Sequence, residues 1–326
     1  MSMSPTKFSQ VVKAEAYPVL MESYDSEVPV YPMLFRSVPE SELVSVFGHK
    51  STTLTGMGLP AERSDSEDIE ETQWGEGYTT YMKIRLLSQK IVYPERLIEA
   101  LDDKGLGALV QRDTKFWGSG FVIQKEQLAA NIFIKGPLTA GHGPTFNQTY
   151  AGETDPYPLV SYDNQPYFDT AHAAFVSGTT YSNHNVSNAL TATTYDTSYT
   201  QMVHTNAYDE RGRKISIRPD LLVVPPQLRS TALRITKSEL LPGVAQNDIN
   251  PNKNLTNTLV WRYLTDTDGW FMGQSGRGVM YHDSGAPILR TWFNEDKKTY
   301  NVSAECRFGV APENWRHWLC NNVAAS

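Results

Sequence analysis

The run His282-Asp283-Ser284 holds the three residue types of a hydrolytic triad. Side chains of adjacent residues point in different directions, whereas a working triad draws its members from separate segments of the chain. The run therefore does not predict a nucleophilic site. The other histidines are scattered, and no two of the seven have the one-turn spacing of a zinc-binding helix.

The glycine-rich stretch GQSGRG, Gly273 to Gly278, has the glycine content of a phosphate-binding loop. It lacks the Gly-Lys-Ser/Thr ending that places a lysine and a hydroxyl on the phosphates, and no clear strand and helix frame it. We expect a flexible loop tip at this position and no bound phosphate.

Two carboxylate pairs, Asp163 with Asp169 and Asp266 with Asp268, could be imagined as an acid and a base. Asp side chains also cap turns and helix starts, and that role explains both pairs without catalysis. The sequence thus predicts no catalytic residue, no cofactor-binding residue and no metal ligand. We expect a protein that is not an enzyme.

Composition excludes further classes of function. The 326 residues are 40% hydrophobic, which is enough for a sizeable core, and carry seven net negative charges, which argues against a chain that coats nucleic acid. Cys306 and Cys320 have neither metal-ligand spacing nor the number needed for a disulfide framework. No apolar run approaches the roughly 20 residues of a membrane span, and no secretion signal opens the chain. We expect a soluble protein made in a cytoplasm.

The first ninety residues predict two extended features. Residues 1–50 alternate short apolar runs with prolines at positions 18, 29, 32 and 39, a pattern that suits an extended arm better than a packed helix. In residues 51–90, glycines and the charge cluster from Asp65 to Glu71 separate two strand-like ends, which predicts a long projecting hairpin.

The strongest helical pattern follows Pro94 and runs to about Ile134. Four glycines, at positions 105, 107, 118 and 120, interrupt it. Because each glycine costs about 1 kcal/mol relative to alanine inside a helix, we expect a long helix that is bent or broken at the glycines.

The run from Leu221 to Val224 is apolar on both faces, which is typical of a central strand. Pro225 and Pro226 cannot donate to a sheet, so the strand must end there and a helix from Gln227 to Ile235 begins. The remaining periodic patterns predict a helix at 193–207, a strand near Thr258 to Tyr263 and a final strand near Tyr300 to Val310.

This order of parts resembles the major capsid protein of tailed bacteriophages with the Hong Kong 97 fold, an α+β fold. The stretch SYDNQPYFDTAHAAF is most similar to an element of the phage Mu head-subunit family. The positions that match are Asp163, Gln165, Tyr167, Phe168 and His172. Tyr167 replaces a Phe of that element, and Ala173 stands where a Pro is common.

The resemblance implies a division of the chain into an N-terminal arm (1–50), an extended β-hairpin loop (51–90), a peripheral domain with a long spine helix (91–184), an axial domain (185–290) and a C-terminal return to the peripheral domain (291–326). It also implies self-assembly into pentamers and hexamers that form an icosahedral shell around double-stranded DNA, with the finished subunit in the virion.

Several partners are implied by the same resemblance: further copies of the chain, a portal protein, a decoration or cement protein, and packaged DNA held by weak nonspecific contact. No charged helical segment precedes the arm, so we expect a separate scaffolding protein. Two alternatives stay open: a nanocompartment shell of the same fold that encloses a cargo enzyme, and a soluble hydrolase whose site is assembled from separated residues.

Overall fold

The computed structural model describes residues 4–45, 47–54, 75–101, 103–137, 146–150, 153–157, 161, 163, 165–240 and 249–323. The charge cluster from Asp65 to Glu71 lies outside the described residues. The α-helices are Pro5–Val11 (α1), Tyr17–Asp25 (α2), Tyr31–Leu34 (α3), Glu95–Glu99 (α4), Asp103–Lys135 (α5), Ala192–Thr200 (α6) and Arg229–Lys237 (α7). Short π-helical turns at Val12–Ala16 and Gln201–Thr205 continue α1 and α6, and 3₁₀ turns occupy Glu40–Glu42, Pro226–Leu228 and Trp315–His317.

The strands are Arg36–Ser37 (β1), Gly48–Leu54 (β2), Glu76–Lys83 (β3), Arg85–Pro94 (β4), Phe146–Tyr150 (β5), Glu153–Tyr157 (β6), His172–Ala173 (β7), Thr180–Tyr181 (β8), His184–Asn185 (β9), Leu221–Val224 (β10), Asn257–Val260 (β11), Trp270–Gly273 (β12), Val279–Asp283 (β13), Ile288–Asn294 (β14), Thr299–Pro312 (β15) and Trp318–Asn321 (β16).

Two five-stranded sheets organise the molecule. The first has the order β1-β13-β15-β14, and β4 also pairs with the long strand β15. The second has the order β11-β10-β12-β16-β9 and mixes parallel with antiparallel pairs. Helices and sheets of both kinds in one chain confirm the α+β class expected from the sequence.

Strand β10 confirms the prediction made from the run Leu221–Val224. All four side chains are buried, and the strand pairs with β11 on one side and β12 on the other. Val223 faces the main core, whereas Leu222 faces a second cluster beneath α6 and α7. Pro226 then opens the 3₁₀ turn that leads into α7, as expected for a residue with a preset backbone angle.

The extended conformation expected for residues 1–50 is wrong, because residues 5–25 form a nearly continuous helical path against α5. Its buried stripe recurs every four residues and consists of Phe8, Val12, Ala16 and Leu20. Two of the four prolines explain the wrong prediction, because Pro18 and Pro32 each start a helical segment. Pro5, Pro18 and Pro32 lie in first turns, where the missing N–H group costs nothing.

The break expected at the glycines of the long helix is also wrong. The helix pattern is interrupted between Glu99 and Asp103, and α5 then runs unbroken for 33 residues through all four glycines. Gly118 has a packing role, since a Cβ atom there would lie 2.4 Å from the Leu20 carbonyl oxygen and 2.4 Å from the Tyr24 nitrogen. This glycine therefore lets the backbone of α2 lie directly against α5.

The strand-like ends of residues 51–90 do form a hairpin. Strands β2 and β3 pair in antiparallel register from Gly48 with Lys83 to Leu54 with Glu76, and β4 then joins the first sheet. None of the helices among the described residues is long and apolar enough to cross a membrane.

Two alanine substitutions on α5 test the backbone contact at Gly118. Both Gly118→Ala and Gly120→Ala remove a glycine from the same helix, but a Cβ at Gly120 meets nothing within 4 Å. We expect Gly120→Ala to be neutral or to stabilise by up to about 1 kcal/mol. Gly118→Ala instead overpacks the α2 contact and costs about 1–3 kcal/mol. Denaturant unfolding measures both, and equal stability of the two variants would contradict this helix packing.

Candidate functional site

A buried cation lies at the centre of the molecule. The Nζ atom of Lys125, in the middle of α5, donates to Asp283 Oδ1 at 2.6 Å, to the Gly285 carbonyl oxygen at 2.8 Å and to the Tyr24 hydroxyl at 3.0 Å. The side chain is completely buried. Burial works to lower the pKa of Lys125, but the charge and hydrogen bond of the Asp283 carboxylate, together with Cys306 and Tyr24, raise the pKa overall. The ammonium group therefore stays charged, with all three hydrogens bonded.

The next residue, Glu126, places a carboxylate among other partners. One oxygen, Oε1, accepts hydrogen bonds from the backbone N–H groups of Val30 and of Tyr31, the latter at 3.2 Å. The other oxygen, Oε2, accepts from the indole Nε1 of Trp261 at 2.5 Å. Two consecutive helix residues thus connect the N-terminal segment with the region that follows β11.

Asp283 completes this polar cluster. Its Oδ2 atom accepts a hydrogen bond from the Tyr31 hydroxyl at 2.5 Å, and its Oδ1 also accepts from the Gly285 N–H at 2.8 Å. Burial, reinforced by the negative charge of Asp283, raises the pKa of Tyr31. The cluster is saturated with hydrogen bonds and presents no free nucleophile or base to a substrate.

The same geometry separates the members of the His282-Asp283-Ser284 run. His282 Nδ1 lies 2.9 Å from the Val38 carbonyl oxygen, and the Ser284 hydroxyl accepts from the Arg307 N–H at 2.8 Å. Asp283 turns the other way, to Lys125. The three side chains bind three different segments, as expected for neighbours in sequence, and do not form a triad.

Asp163 and His172 form a second buried cluster. His172 Nδ1 lies 2.6 Å from Asp163 Oδ2, its Nε2 lies 3.0 Å from Asn183 Oδ1, and its ring stacks on Trp315 with centroids 4.5 Å apart. The turn-capping role predicted for Asp163 is therefore incomplete, because its carboxylate also holds the histidine. Asp169 does accept from the adjacent Thr170 N–H, at 2.6 Å, as a turn residue does.

Asn183 links this cluster to the C-terminal segment by hydrogen bonds. Its side-chain amide donates to the carbonyl oxygens of Tyr167, Trp315 and Trp318 at 2.9, 3.2 and 3.2 Å. The element that carries the family resemblance thus fastens residues 163–183 to the residues before and within β16.

A third buried pair joins Arg316 to Glu210. Arg316 Nη1 lies 2.7 Å from Glu210 Oε1, and Arg316 Nε donates to the Tyr208 carbonyl oxygen at 2.7 Å. Glu210 Oε2 accepts from the Phe175 N–H at 2.7 Å. Burial lowers the pKa of Arg316 to about 10 and raises the pKa of Glu210. Nothing in the local sequence marks either residue as buried.

The described histidines serve mainly as hydrogen-bonding groups. His184 and His49 each contact a backbone carbonyl oxygen, and His317 Nδ1 lies 3.1 Å from Gln274 Oε1. Burial lowers the pKa of His184, and burial with the nearby Arg277 and Arg316 lowers the pKa of His317 to about 4. Across the described ranges, no three His, Cys, Asp or Glu side chains come together as metal ligands.

Gly273 ends β12 and residues 274–278 form the turn to β13, so the loop expected from the sequence is present, and its flexibility stays a prediction. Asp220 holds it through hydrogen bonds from the Ser275 N–H at 2.7 Å and from the Ser275 hydroxyl. Gly278 has φ +85°, and a Cβ atom there would lie 2.7 Å from the Trp318 ring. The glycines therefore serve close packing and turn geometry.

The surface cavities among the described residues are shallow grooves away from the buried polar clusters. A groove of about 700 Å³ between α2 and α5 is lined by exposed and half-buried residues such as Glu22, Arg112 and Phe116. The three buried polar clusters lie elsewhere. The arrangement is that of a subunit whose polar groups tie its segments together.

The fold itself is that of a viral shell subunit. The capsid of an empty GTA particle is similar to this chain with a TM-score of 0.51 and 12% sequence identity, over 92% of each chain. A chain of Mycobacterium phage Che8 is similar with a TM-score of 0.50 and 11% identity, over 92% of this chain and 93% of that one. A search of curated proteins finds no match.

The family follows from the sequence itself. The model of the family described as phage capsid protein matches residues 106–321, well over half of the chain, and the chain belongs to this family. It is a major capsid protein of the Hong Kong 97 fold, a component of the virion shell. The finer likeness to the head subunits of phage Mu stays a prediction.

The buried pair Lys125 and Asp283 can be tested by a double-mutant cycle. Asp283→Asn leaves the ammonium group without its counter-charge in the core, so we expect a loss of about 3–5 kcal/mol in unfolding free energy. Adding Lys125→Met removes the stranded charge, so the double variant is more stable than Asp283→Asn alone. Denaturant unfolding measures each variant. A double variant less stable than both single variants would argue against this pairing.

Proposed function

We propose that copies of this chain close into pentamers and hexamers and build the icosahedral head that encloses the double-stranded DNA of a tailed phage. The observation that carries this proposal is the hairpin of β2 and β3. The two strands form a sheet of their own, and a two-stranded sheet is marginally stable in water. Exposed apolar side chains near its base, including Phe47 and Tyr81, favour burial against another copy.

The base of the hairpin is anchored to its own subunit. Tyr78 on β3 makes an edge-to-face contact with Phe175 at 4.8 Å, and the Ile84 N–H donates to the Phe47 carbonyl oxygen at 2.9 Å. An anchored base sets the direction in which β2 and β3 leave the first sheet, which residues 85–90 join as part of β4. This supports their role as the extended loop that overlaps a neighbour.

We also propose the division into arm (1–50), whose residues 5–25 are helical and packed on α5, loop (51–90), peripheral domain (91–184), axial domain (185–290) and C-terminal return (291–326). Residues 291–326 supply β15 to the first sheet and β16 to the second. The final segment therefore joins the two domains, in addition to returning to the peripheral one.

The further partners remain part of this proposal. A portal protein, a separate scaffolding protein and a decoration or cement protein would act on the assembled shell. The acidic balance of the chain suits weak, nonspecific contact with DNA, because a negative wall does not trap a genome that must later leave. We propose no enzymatic activity for the subunit.

Shortening the hairpin tests the proposed function. Replacing residues 57–72 by a short Gly-Ser linker should leave a subunit with unchanged thermal unfolding, because the two sheets and α5 that form the described core lie outside this range. In cells that also make the other head proteins of the phage, we expect closed shells from the parent chain and none from this variant, as seen by electron microscopy.

A matched control keeps the length of the tip and changes the acidic residues between Asp65 and Glu71 to their amides. If only the shortened variant fails to form shells, the length of the hairpin is what assembly requires. If both variants fail, the negative charges between Asp65 and Glu71 are required. Normal shells from the shortened variant would contradict the proposal. Parent shells filled with a protein cargo and no DNA would favour the nanocompartment alternative.

A further inference from the structure

Helix α7 presents a cationic face. Residues 221–238 contain no Asp or Glu, and α7 carries Arg229, Arg234 and Lys237 within nine residues. The opposite side of the helix, with Ala232 and Ile235, is buried on the second sheet. The three cations therefore lie on the exposed side of the helix.

These charges are largely uncompensated within the subunit. Among the described residues, no carboxylate forms an ion pair with Arg229 or Arg234, and Lys237 Nζ donates to the neutral Asn254 Oδ1 at 2.9 Å. Like charges on one helix face repel each other. A chain with seven net negative charges thus keeps one exposed helix face entirely positive.

A matching acidic feature lies in the turn between β11 and β12. Asp266 Oδ1 accepts from the N–H groups of Asp268 and Gly269 at 3.1 and 3.2 Å, which fixes the turn. The neighbouring Asp266 carboxyl, by hydrogen bonding and by repulsion, raises the pKa of the exposed Asp268. Within the described ranges neither carboxylate pairs with a cation, and the nearby Arg262 is bonded to Glu27 at 2.6 Å.

The two features lie at different places on the second sheet. Helix α7 packs over β10 and the edge strand β11. The acidic turn instead abuts the end of β16, where Asn322 Nδ2 donates to the Asp268 carbonyl oxygen at 3.2 Å.

We propose that the cationic face of α7 on one copy binds the Asp266–Asp268 turn of the next copy around a ring. A head-to-tail contact joins two different, complementary patches of each subunit, and the cationic face and the acidic turn are complementary in charge. The inference rests on the proposed function, since it names the contact that would join neighbouring axial domains.

The chemistry of the face favours such an electrostatic contact. The exposed side of α7 offers Arg, Lys and Ser side chains and no large apolar anchor. Charged patches of this kind set the orientation and rate of association more than they bury area. Phosphate groups of packaged DNA could also meet the cations, and the experiment distinguishes that outcome.

A charge swap tests the contact. Arg234→Glu and Asp268→Arg each place like charges across the proposed interface, so we expect each to lower the yield of shells at least tenfold. The double variant Arg234→Glu with Asp268→Arg restores opposite charges, and its yield should return to within about threefold of the parent yield. Shell yield is measured by sedimentation and electron microscopy of cells that make the other head proteins.

Two controls separate folding from assembly. All variants should keep the thermal unfolding of the unassembled parent subunit, because Arg234 and Asp268 are exposed and form no ion pair with any residue that the structure describes. Lys297→Glu reverses an exposed charge in the turn between β14 and β15 and should assemble normally.

Parent-like shells from both single variants, or a double variant that fails like the single ones, would overturn the contact while leaving the proposed function standing. If Arg234→Glu forms shells at full yield but retains DNA poorly, the cationic face of α7 binds the packaged DNA. That result would also overturn the proposed contact between copies. A parent chain that makes no shells would remove the proposed function together with this inference.

Discussion

Two adjacent charges on one helix hold this subunit together. Lys125 and Glu126 are consecutive, both are buried, and every polar atom at the tip of each has a partner. An isolated buried charge costs several kcal/mol, so such a pair is stable only when its partners are in place. The partners come from residues 24–31, from Trp261 and from residues 283–285, and therefore these segments must assemble around α5 together.

The N-terminal region is the clearest consequence. Tyr24 and the backbone of Val30 and Tyr31 bind the two charges directly, while the apolar stripe of α1 and α2 covers α5 above them. Residues 5–25 thus belong to the core of their own subunit. The β2–β3 hairpin, the cationic face of α7 and the Asp266–Asp268 turn are the features that we propose contact a neighbouring copy.

Local signals made part of this fold predictable. The apolar run Leu221–Val224 followed by two prolines specifies a strand and its end without reference to the rest of the chain, and the strand ends of the hairpin are equally local. Proline was ambiguous because the first turn of a helix and an extended arm both accept it. Gly118 was misread because its role depends on α2, a helix almost a hundred residues away in sequence.

The buried polar clusters were beyond the reach of the sequence for the same reason. Asp163 was interpreted as a turn residue, and its partner His172 was noticed only as part of a family-like element. The local sequence does not predict burial of Lys125, Glu126, Glu210 or Arg316. A charged residue is normally exposed, and its burial is stable only when partners from distant segments bind it. His282, Asp283 and Ser284 are neighbours only in sequence. In the structure their side chains bind three different segments.

Hydrogen exchange of the unassembled subunit, followed by mass spectrometry, tests the central claim most directly. If Lys125 and Glu126 fasten the N-terminal helices to their own subunit, amides in residues 8–25 and at Val30 and Tyr31 will exchange as slowly as those in the middle of α5. Rapid exchange of these amides in the free subunit, with protection gained only after shells form, would show that the segment finds its partners on other copies.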